Sequence, residues 1–339
     1  MTAPFALSIQ DLAPIAEGTS TPDALAETIK LAQLGDELGF TRLWYAEHHG
    51  MPSIASSVPE ILIGSAAAHT KSIRIGSGGV MLLNHAPLRI VEAYRTLEAL
   101  HPGRIDLGLG RAPGGDGYAM RALRTGGGEE FSNYLSEMLA FETDSFPPDH
   151  PFSRVAVAPG GISLPPLWLL GSSGSSAQAA GQLGIGYAFA AHFSHTPAAP
   201  AFEAYRYGFK ASEAFPTSRA MLCVSVVCAP TDEEAQYLSH SQAVQWALFT
   251  TGEQRRLMSP EDAHARVLTT QQQGIIDHQS TLWIVGSPET VRDQIMAKAT
   301  ESGADEVMIT TTIHSYELRR RSYRLIAEAL GIAPRSAQM

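Results

Sequence analysis

Residues 72–110 read SIRIGSGGVMLLNHAPLRIVEAYRTLEALHPGRIDLGLG and contain two apolar runs of strand length on either side of a helix-period segment. The helical segment, residues 86–100, begins with Ala-Pro and is followed by His-Pro-Gly, which are helix start and stop signals. A strand, a helix and a second strand in this order predict two parallel strands joined by a right-handed crossover.

The same alternation of strand and helix recurs about eight times, from FALSIQDLAP at residues 5–14 to DEVMITTTI at residues 305–313. A closed (β/α)₈ barrel, as one domain over residues 1–339, fits this count better than an open sheet. The first helix is predicted to have Thr21 as its N-cap and to stop at Gly39. Two stretches, near residues 112–160 and 248–280, are too long for simple connections, and we expect them to shape or cover a site.

Composition excludes several classes of function. The formal net charge of -10 leaves no basic surface for a nucleic acid. No apolar run reaches the roughly 18 residues of a membrane-spanning helix. Cys223 and Cys228 lie on opposite faces of one predicted strand, so neither a disulfide nor a metal pair is expected. The sequence predicts a cytoplasmic protein without a membrane or nucleic-acid partner.

The stretch LWYAEHHG, residues 43–50, places three polar side chains at the end of a predicted strand. In an extended chain Glu47 and His49 point to one face and His48 to the other, so the three cannot readily bind one metal ion. His48 is therefore a candidate acid/base, because a histidine pKa is easily moved across the physiological range. A purely structural polar strand end remains an alternative, and no metal site is predicted.

Glycines interrupt the strand that follows. Gly76, Gly78 and Gly79 would weaken a strand, which indicates that a flat ligand approaches the backbone closely or that the strand kinks for barrel packing.

Two further strand ends carry groups suited to an anion. In LGLGRAPGGDG, residues 107–117, Pro113 stands where a dinucleotide fingerprint needs glycine, and no helix is predicted there. Arg111 instead suits a phosphate or carboxylate. In LLGSSGSSAQAAG, residues 169–181, serines stand at a strand-to-helix junction, where free backbone N–H groups attract anions. Ser175 or Ser176 could equally be a simple N-cap.

These segments resemble one known family. LGFTRLWYAEHH at residues 38–49, the segment from NHAP to GRAPGG at residues 84–115, the serine loop, and GSPETVRDQIMAKATESGADEVMI at residues 286–309 are similar to the bacterial luciferase-like flavin monooxygenases. The resemblance covers about residues 5–330 and is closest to the single-chain luciferase-like oxidoreductase branch.

The resemblance implies a (β/α)₈ barrel that binds FMN, as FMNH₂ delivered by a separate flavin reductase. It implies oxygenation of a small organic substrate, such as an aldehyde or ketone, by O₂ through a C4a-peroxyflavin. It also implies a homodimer, and a cis peptide at Gly78–Gly79 or one bond away. The apolar helix around residues 58–68 is a candidate for the dimer interface, with packing within the barrel as the alternative.

The resemblance further assigns roles to individual residues. His48 matches the family's acid/base histidine, and Arg111 its phosphate-binding arginine. The cofactor-binding residues expected from this match and from the strand ends are Gly78, Gly79, Asn84, Arg111, Ser172, Ser173 and Ser176, with His85 and His192 as further pocket residues. Two departures are relevant: Ser172 replaces a luciferase glutamate, and Gly110 replaces the reactive luciferase cysteine, so light emission is not expected.

Two other functions are compatible with such a barrel. A sister branch uses F420 for hydride transfer without O₂, and its cofactor would engage the same kinds of residue. Other relatives only bind or store flavin, although those have lost parts of the barrel.

Overall fold

The computed structural model describes residues 3–333, so the two ends of the predicted domain, residues 1–2 and 334–339, lie outside the described residues. Its strands are β1 (Ala6–Asp11), β2 (Arg42–Tyr45), β3 (Arg74–Ser77), β4 (Val80–Met81), β5 (Ile105–Gly110), β6 (Leu167–Gly171), β7 (Gly186–Ala190), β8 (Ala220–Cys228), β9 (Ile284–Gly286) and β10 (Glu306–Thr310).

Helices separate the strands along the chain. They are α1 (Thr21–Leu38), α2 (Pro59–Ala68), α3 (Pro87–Leu100), α4 (Gly117–Leu123), α5 (Phe131–Thr143), α6 (Gly174–Leu183), α7 (Ala199–Tyr207), α8 (Asp232–Thr250), α9 (Pro260–Ala265), α10 (Thr270–Ser280), α11 (Pro288–Ser302) and α12 (Tyr316–Leu330).

The sheet closes on itself, which confirms the predicted (β/α)₈ barrel. Every strand pairing is parallel, and β10 pairs with both β1 and β8. β3 and β4 together occupy the third of the eight barrel positions, and β9 extends the sheet beside the end of β8. Because the strands are parallel, their carboxyl ends meet at one mouth of the barrel.

The third strand is interrupted at the glycines, where the sequence indicated either a kink or the close approach of a flat ligand. β3 ends at Ser77 and β4 starts at Val80, with a cis peptide bond between Gly78 and Gly79. Both pieces still pair with β5. The position of the cis bond expected from the family resemblance is therefore confirmed.

Two local predictions need correction. The N-cap of α1 is Ser20 rather than Thr21, because the Ser20 hydroxyl accepts from the Asp23 backbone N–H at 3.2 Å and the Asp23 carboxylate returns the bond. A helix does follow the RAPGG segment, since α4 starts at Gly117 and is capped by the Asp116 carboxylate. The predicted stop at Gly39 is confirmed by its left-handed conformation.

Charged residues fill the amino-terminal end of the barrel interior, below the mouth. Arg42 forms ion pairs with Asp106 at 2.7 Å and with Glu306 at 2.8 Å, and Arg74 pairs with Asp106 at 2.7 Å. Burial alone would raise the pKa of Asp106, but the two guanidinium groups hold it below its usual range. This network of ion pairs fills the barrel interior at the end opposite the mouth.

Two long connections stand over the mouth. Residues 111–166 carry α4 and α5, and residues 251–283 carry α9 and α10, which pack on α8 through a separate apolar cluster. These connections supply walls to the site described next.

Candidate functional site

The interruption of the third strand leaves a stretch of backbone with no room for side chains. A Cβ atom on Gly78 would lie 2.7 Å from Gln10 Oε1, and one on Gly79 would lie 2.9 Å from the carbonyl oxygen of Gly108. The Gly78 carbonyl accepts a hydrogen bond from Gln10 Nε2, and the Gly78 N–H donates to the Tyr45 carbonyl at 2.8 Å. The two glycines are thus held on both sides, and sequence reasoning missed Gln10, whose only signal was a polar residue inside an apolar strand.

Arg111 follows β5 directly, and the serine loop follows the neighbouring strand β6. Leu109 pairs with Leu169 in the register of these strands, so Arg111 lies level with Gly171, immediately before Ser172. The Arg111 side chain is exposed and makes no hydrogen bond or ion pair with the described residues. The structure therefore places a partner-free arginine at the end of the strand next to the one that leads into α6.

The start of α6 is open to an anion. Ser173 is its N-cap, but no side-chain hydrogen bond caps the first turn. Ser173 Oγ lies 3.1 Å from Ser175 Oγ, while Ser176 Oγ donates to the Ser173 carbonyl at 2.9 Å and lies 3.2 Å from the Tyr187 hydroxyl. Free backbone N–H groups at a helix start together with hydroxyls and a free arginine are a donor set that fits a phosphate. Tyr187 was not predicted, because its partners are distant along the chain.

Glu47, just after β2, is the common hydrogen-bond acceptor for several groups at the barrel mouth. Its buried carboxylate accepts from His49 Nε2 at 2.8 Å, His85 Nε2 at 2.9 Å, Asn84 Nδ2 at 3.2 Å and the Met81 backbone N–H at 2.8 Å. Burial alone would raise the pKa of Glu47, but the bonds from His85 and His49 lower it. Burial would likewise lower the pKa of His85, yet the bond to Glu47 raises it.

Asn84 connects this carboxylate to the connection that carries Arg111. Its amide nitrogen also donates to the Pro113 carbonyl at 3.1 Å, and its amide oxygen accepts from the Thr125 hydroxyl at 2.7 Å. Asn84 therefore holds the segment of residues 112–126 against the barrel, while the His85 ring contacts Glu47.

His48 points away from Glu47 and His49, as the alternation of an extended chain predicts. Its ring lines a cavity of about 190 Å³ at the mouth, together with His192 from the end of β7. Burial lowers the pKa of each ring to about 4, and Glu47 offsets this only in part for His48. Both imidazoles are therefore neutral at pH 7, and a neutral imidazole can accept or donate a proton.

Other kinds of site find little support in the described part of the chain. Within residues 3–333 no group of three or more His, Cys, Asp or Glu side chains is placed to hold a metal ion. Cys223 and Cys228 are buried and free. No helix in that range has the length and apolar character needed to cross a membrane.

Comparison with known proteins agrees with this geometry. The luciferase-like monooxygenase family matches residues 5–306. The chain is 38% identical over 321 residues to a luciferase-like monooxygenase of Escherichia coli K12, covering 95% of this chain and 96% of that protein. It is 35% identical over 336 residues to the N-acetyl-S-alkylcysteine monooxygenase of Bacillus subtilis, covering 97% and 99%.

Solved structures share the fold. Apo-MsnO8 superimposes with a TM-score of 0.85 at 37% identity, covering 97% of this chain and 98% of that one. More distant structures, at 20% and 14% identity, are the oxygenating constituent of 3,6-diketocamphane monooxygenase from Pseudomonas putida in complex with FMN, with a TM-score of 0.72, and an F420-dependent secondary alcohol dehydrogenase, with a TM-score of 0.69. Each covers 97% of this chain and 99% of its own. The chain belongs to the luciferase-like monooxygenase family.

Proposed function

We propose that this protein is an FMN-dependent monooxygenase that uses reduced FMN and O₂ to oxygenate a small organic substrate, such as an aldehyde or ketone. The observation that supports this most strongly is the position of the partner-free Arg111. It follows β5, which pairs on one side with both pieces of the strand that carries Gly78–Gly79 and on the other side with β6, the strand that leads into the uncapped start of α6. Arg111 thus lies one barrel position from the Gly78–Gly79 backbone, an arrangement that suits a cofactor with a phosphate and a flat ring.

The residues divide into two groups around the cofactor. Arg111, the α6 amino terminus and the hydroxyls of Ser172, Ser173 and Ser176 would hold the FMN phosphate. Gly78 and Gly79 would support the ring through their backbone, and a Cβ atom at either position would collide with neighbouring protein atoms. The bound flavin supplies the redox chemistry, in which FMNH₂, O₂ and substrate give FMN, the oxygenated product and water.

The chain itself contributes proton handling and exclusion of water. His48 lines the cavity, and its ring is neutral at pH 7 because burial lowers its pKa to about 4. We propose that its imidazole accepts and returns the proton that moves during oxygen transfer. The apolar cavity walls keep bulk water from the reacting atoms.

We further propose that a separate flavin reductase supplies FMNH₂, and that the protein is a cytoplasmic homodimer. The helix α2 is the candidate interface, because its Ile61 side chain is 70% exposed while Ile63 on the same helix is fully buried in the core. Sedimentation would test the dimer, and Ile61→Glu should dissociate it.

The experiment for the proposed function supplies FMNH₂ from an unrelated reductase in air and screens straight-chain aldehydes and ketones for oxygenated products. We expect product to depend on both FMN and O₂. His48→Ala should slow product formation far more than it weakens FMN binding, and equal product yield would remove His48 from the mechanism.

The F420 alternative uses the same barrel for hydride transfer without O₂. One fold neighbour is described in complex with an F420-acetone adduct, so the comparison has to be made directly. Titrating the pure protein with FMN and with F420 separates the two proposals, and tighter binding of F420 would overturn ours.

A further inference from the structure

The cavity beside His48 contains no ionisable side chain other than two neutral histidines. It is bordered by β1, β2, β7, β8, β10 and α8 and by residues of the long connection after α8. Its lining residues are the two histidines His48 and His192, the two amides Gln242 and Gln245, and otherwise hydroxyl and apolar residues. Neither Gly78 nor Gly79, nor any of the proposed phosphate-binding residues, is among them.

The cations nearest in sequence to this wall are already engaged. Arg255 pairs with Glu17 at 2.6 Å, and Arg256 donates to the Thr19 carbonyl at 2.7 Å. Burial lowers the pKa of His48 and His192 to about 4, so neither ring offers a positive charge at neutral pH. A bound anion would therefore lose its hydration without gaining a cation, and a bound cation would find no carboxylate.

Two amide side chains of the cavity wall each have a hydrogen-bond acceptor without a donor. Gln245 Nε2 donates to the Arg255 carbonyl at 3.0 Å, and Gln242 Nε2 donates to Ser225 Oγ at 2.8 Å. The Oε1 atoms of both glutamines are buried and have no hydrogen-bond partner among the described residues. The Arg255 carbonyl can only accept, which fixes the orientation of the Gln245 amide.

The buried Nδ1 atoms of His48 and His192 also lack partners within residues 3–333. Buried polar atoms of this kind are normally satisfied by a bound molecule or by water. Amide oxygens accept from hydroxyl or amide N–H groups and repel carboxylate oxygens. Around these groups, the faces of Trp246, Phe249 and Trp283 and the side chains of Met51 and Ile54 provide apolar contact.

We propose that the substrate taken by this cavity is an uncharged, largely apolar molecule that carries a hydroxyl or amide group, which hydrogen-bonds to Gln242 and Gln245. That this molecule is the substrate rests on the proposed monooxygenase function. The binding preference itself depends only on the walls of the cavity.

The test measures binding of three probes of equal chain length, 1-octanol, octanoate and octylammonium, at pH 7.5. Isothermal titration calorimetry is run with and without saturating FMN. In the flavin-free protein, the change in total tryptophan fluorescence, to which Trp246 and Trp283 of the cavity wall contribute, also reports binding. We expect 1-octanol to bind at least tenfold more tightly than either ion. A ratio below ten for either ion, or no saturable binding of 1-octanol, overturns the proposal.

A matched pair of variants locates the effect. Gln242→Glu places a carboxylate on the wall and should shift the preference toward octylammonium at least tenfold, whereas Gln236→Glu, on the exposed face of the same helix, should leave it unchanged. A folded Gln242→Glu protein with the wild-type preference overturns the proposal, and if that variant does not fold, the wild-type ratios decide alone. Because no probe needs turnover, a failed oxygenation assay would not alter this result.

Discussion

Replacing Glu47 with alanine should destabilise the protein more than any other single change at the barrel mouth. The carboxylate is fully buried and accepts four hydrogen bonds, from His49, His85, Asn84 and the Met81 backbone. In the alanine variant these donors lose their common acceptor, and the raised pKa of His85 loses its cause.

The size of the effect follows from this arrangement. Removing one partner of a buried ion pair leaves the other uncompensated, and costs about 3–5 kcal/mol. In Glu47→Gln the side chain keeps its shape and one acceptor oxygen, but its amide NH₂ group faces at least one donor. This variant should therefore lose about 2 kcal/mol in free energy of unfolding. Glu37→Gln, on the exposed face of α1, should change the free energy of unfolding by less than about 0.5 kcal/mol.

Urea unfolding at pH 7, followed by circular dichroism and tryptophan fluorescence, gives the three free energies of unfolding. Limited proteolysis should also cut Glu47→Ala within residues 112–126, because Asn84 no longer holds that segment as firmly. A Glu47→Ala protein within 1 kcal/mol of wild type, or one as stable as Glu47→Gln, would refute the reasoning that this carboxylate holds the mouth together.

Three further predictions concern the pH response, the phosphate site and the strand interruption. Burial lowers the pKa of His48 to about 4, so between pH 6.5 and 4 the ring is protonated in the unfolded protein but not in the folded one. The free energy of unfolding should therefore fall as the pH drops through this range, and His48→Phe should remove about 3 kcal/mol of that fall. Arg111→Ala should weaken FMN binding at least tenfold and riboflavin binding less than twofold, whereas Arg121→Ala on the exposed face of α4 should alter neither. Gly79→Ala should cost about 1–3 kcal/mol, because its Cβ would lie 2.9 Å from a carbonyl oxygen, while Gly117→Ala meets nothing within 4 Å and should be neutral.

Each of these has a plain contrary result. An unchanged pH profile in His48→Phe, measured by thermal unfolding across pH 4–7, would mean that folding does not lower the pKa of this ring. Equal losses of FMN and riboflavin affinity in Arg111→Ala would place the arginine away from the phosphate. A Gly79→Ala protein as stable as Gly117→Ala would mean that the strands at this point separate easily.

The barrel could be predicted because its signals are local. Each strand is a short apolar run, each helix carries its own start and stop residues, and parallel strands joined by helices leave few topologies. Because functional residues of such barrels follow the carboxyl ends of the strands, Arg111, the serines at residues 172–176 and His48 could be predicted to lie around one mouth of the barrel. The alternation of side chains along an extended chain correctly separated His48 from Glu47 and His49.

Contacts between distant segments could not be predicted. The partners of Glu47 at Met81, Asn84 and His85 lie 34–38 residues away, and no periodicity links them. The glycine run indicated an irregular strand, but only the register with β5 shows that both pieces keep their pairing. The cavity residues from α8 and from the connection after it are ordinary apolar and amide residues. Their sequence pattern indicates no function, and only the fold shows that they lie beside His48.

The most direct test of the account is a single-turnover experiment under ¹⁸O₂. The protein is first loaded anaerobically with FMNH₂, then mixed with ¹⁸O₂ and a straight-chain aldehyde or ketone that the screen identifies as a substrate. We expect one ¹⁸O atom in each product molecule, no label from H₂¹⁸O during oxygen transfer, and loss of product in His48→Ala with FMN still bound. Product formed without O₂, or turnover supported by reduced F420 and not by FMNH₂, would contradict the proposed monooxygenase.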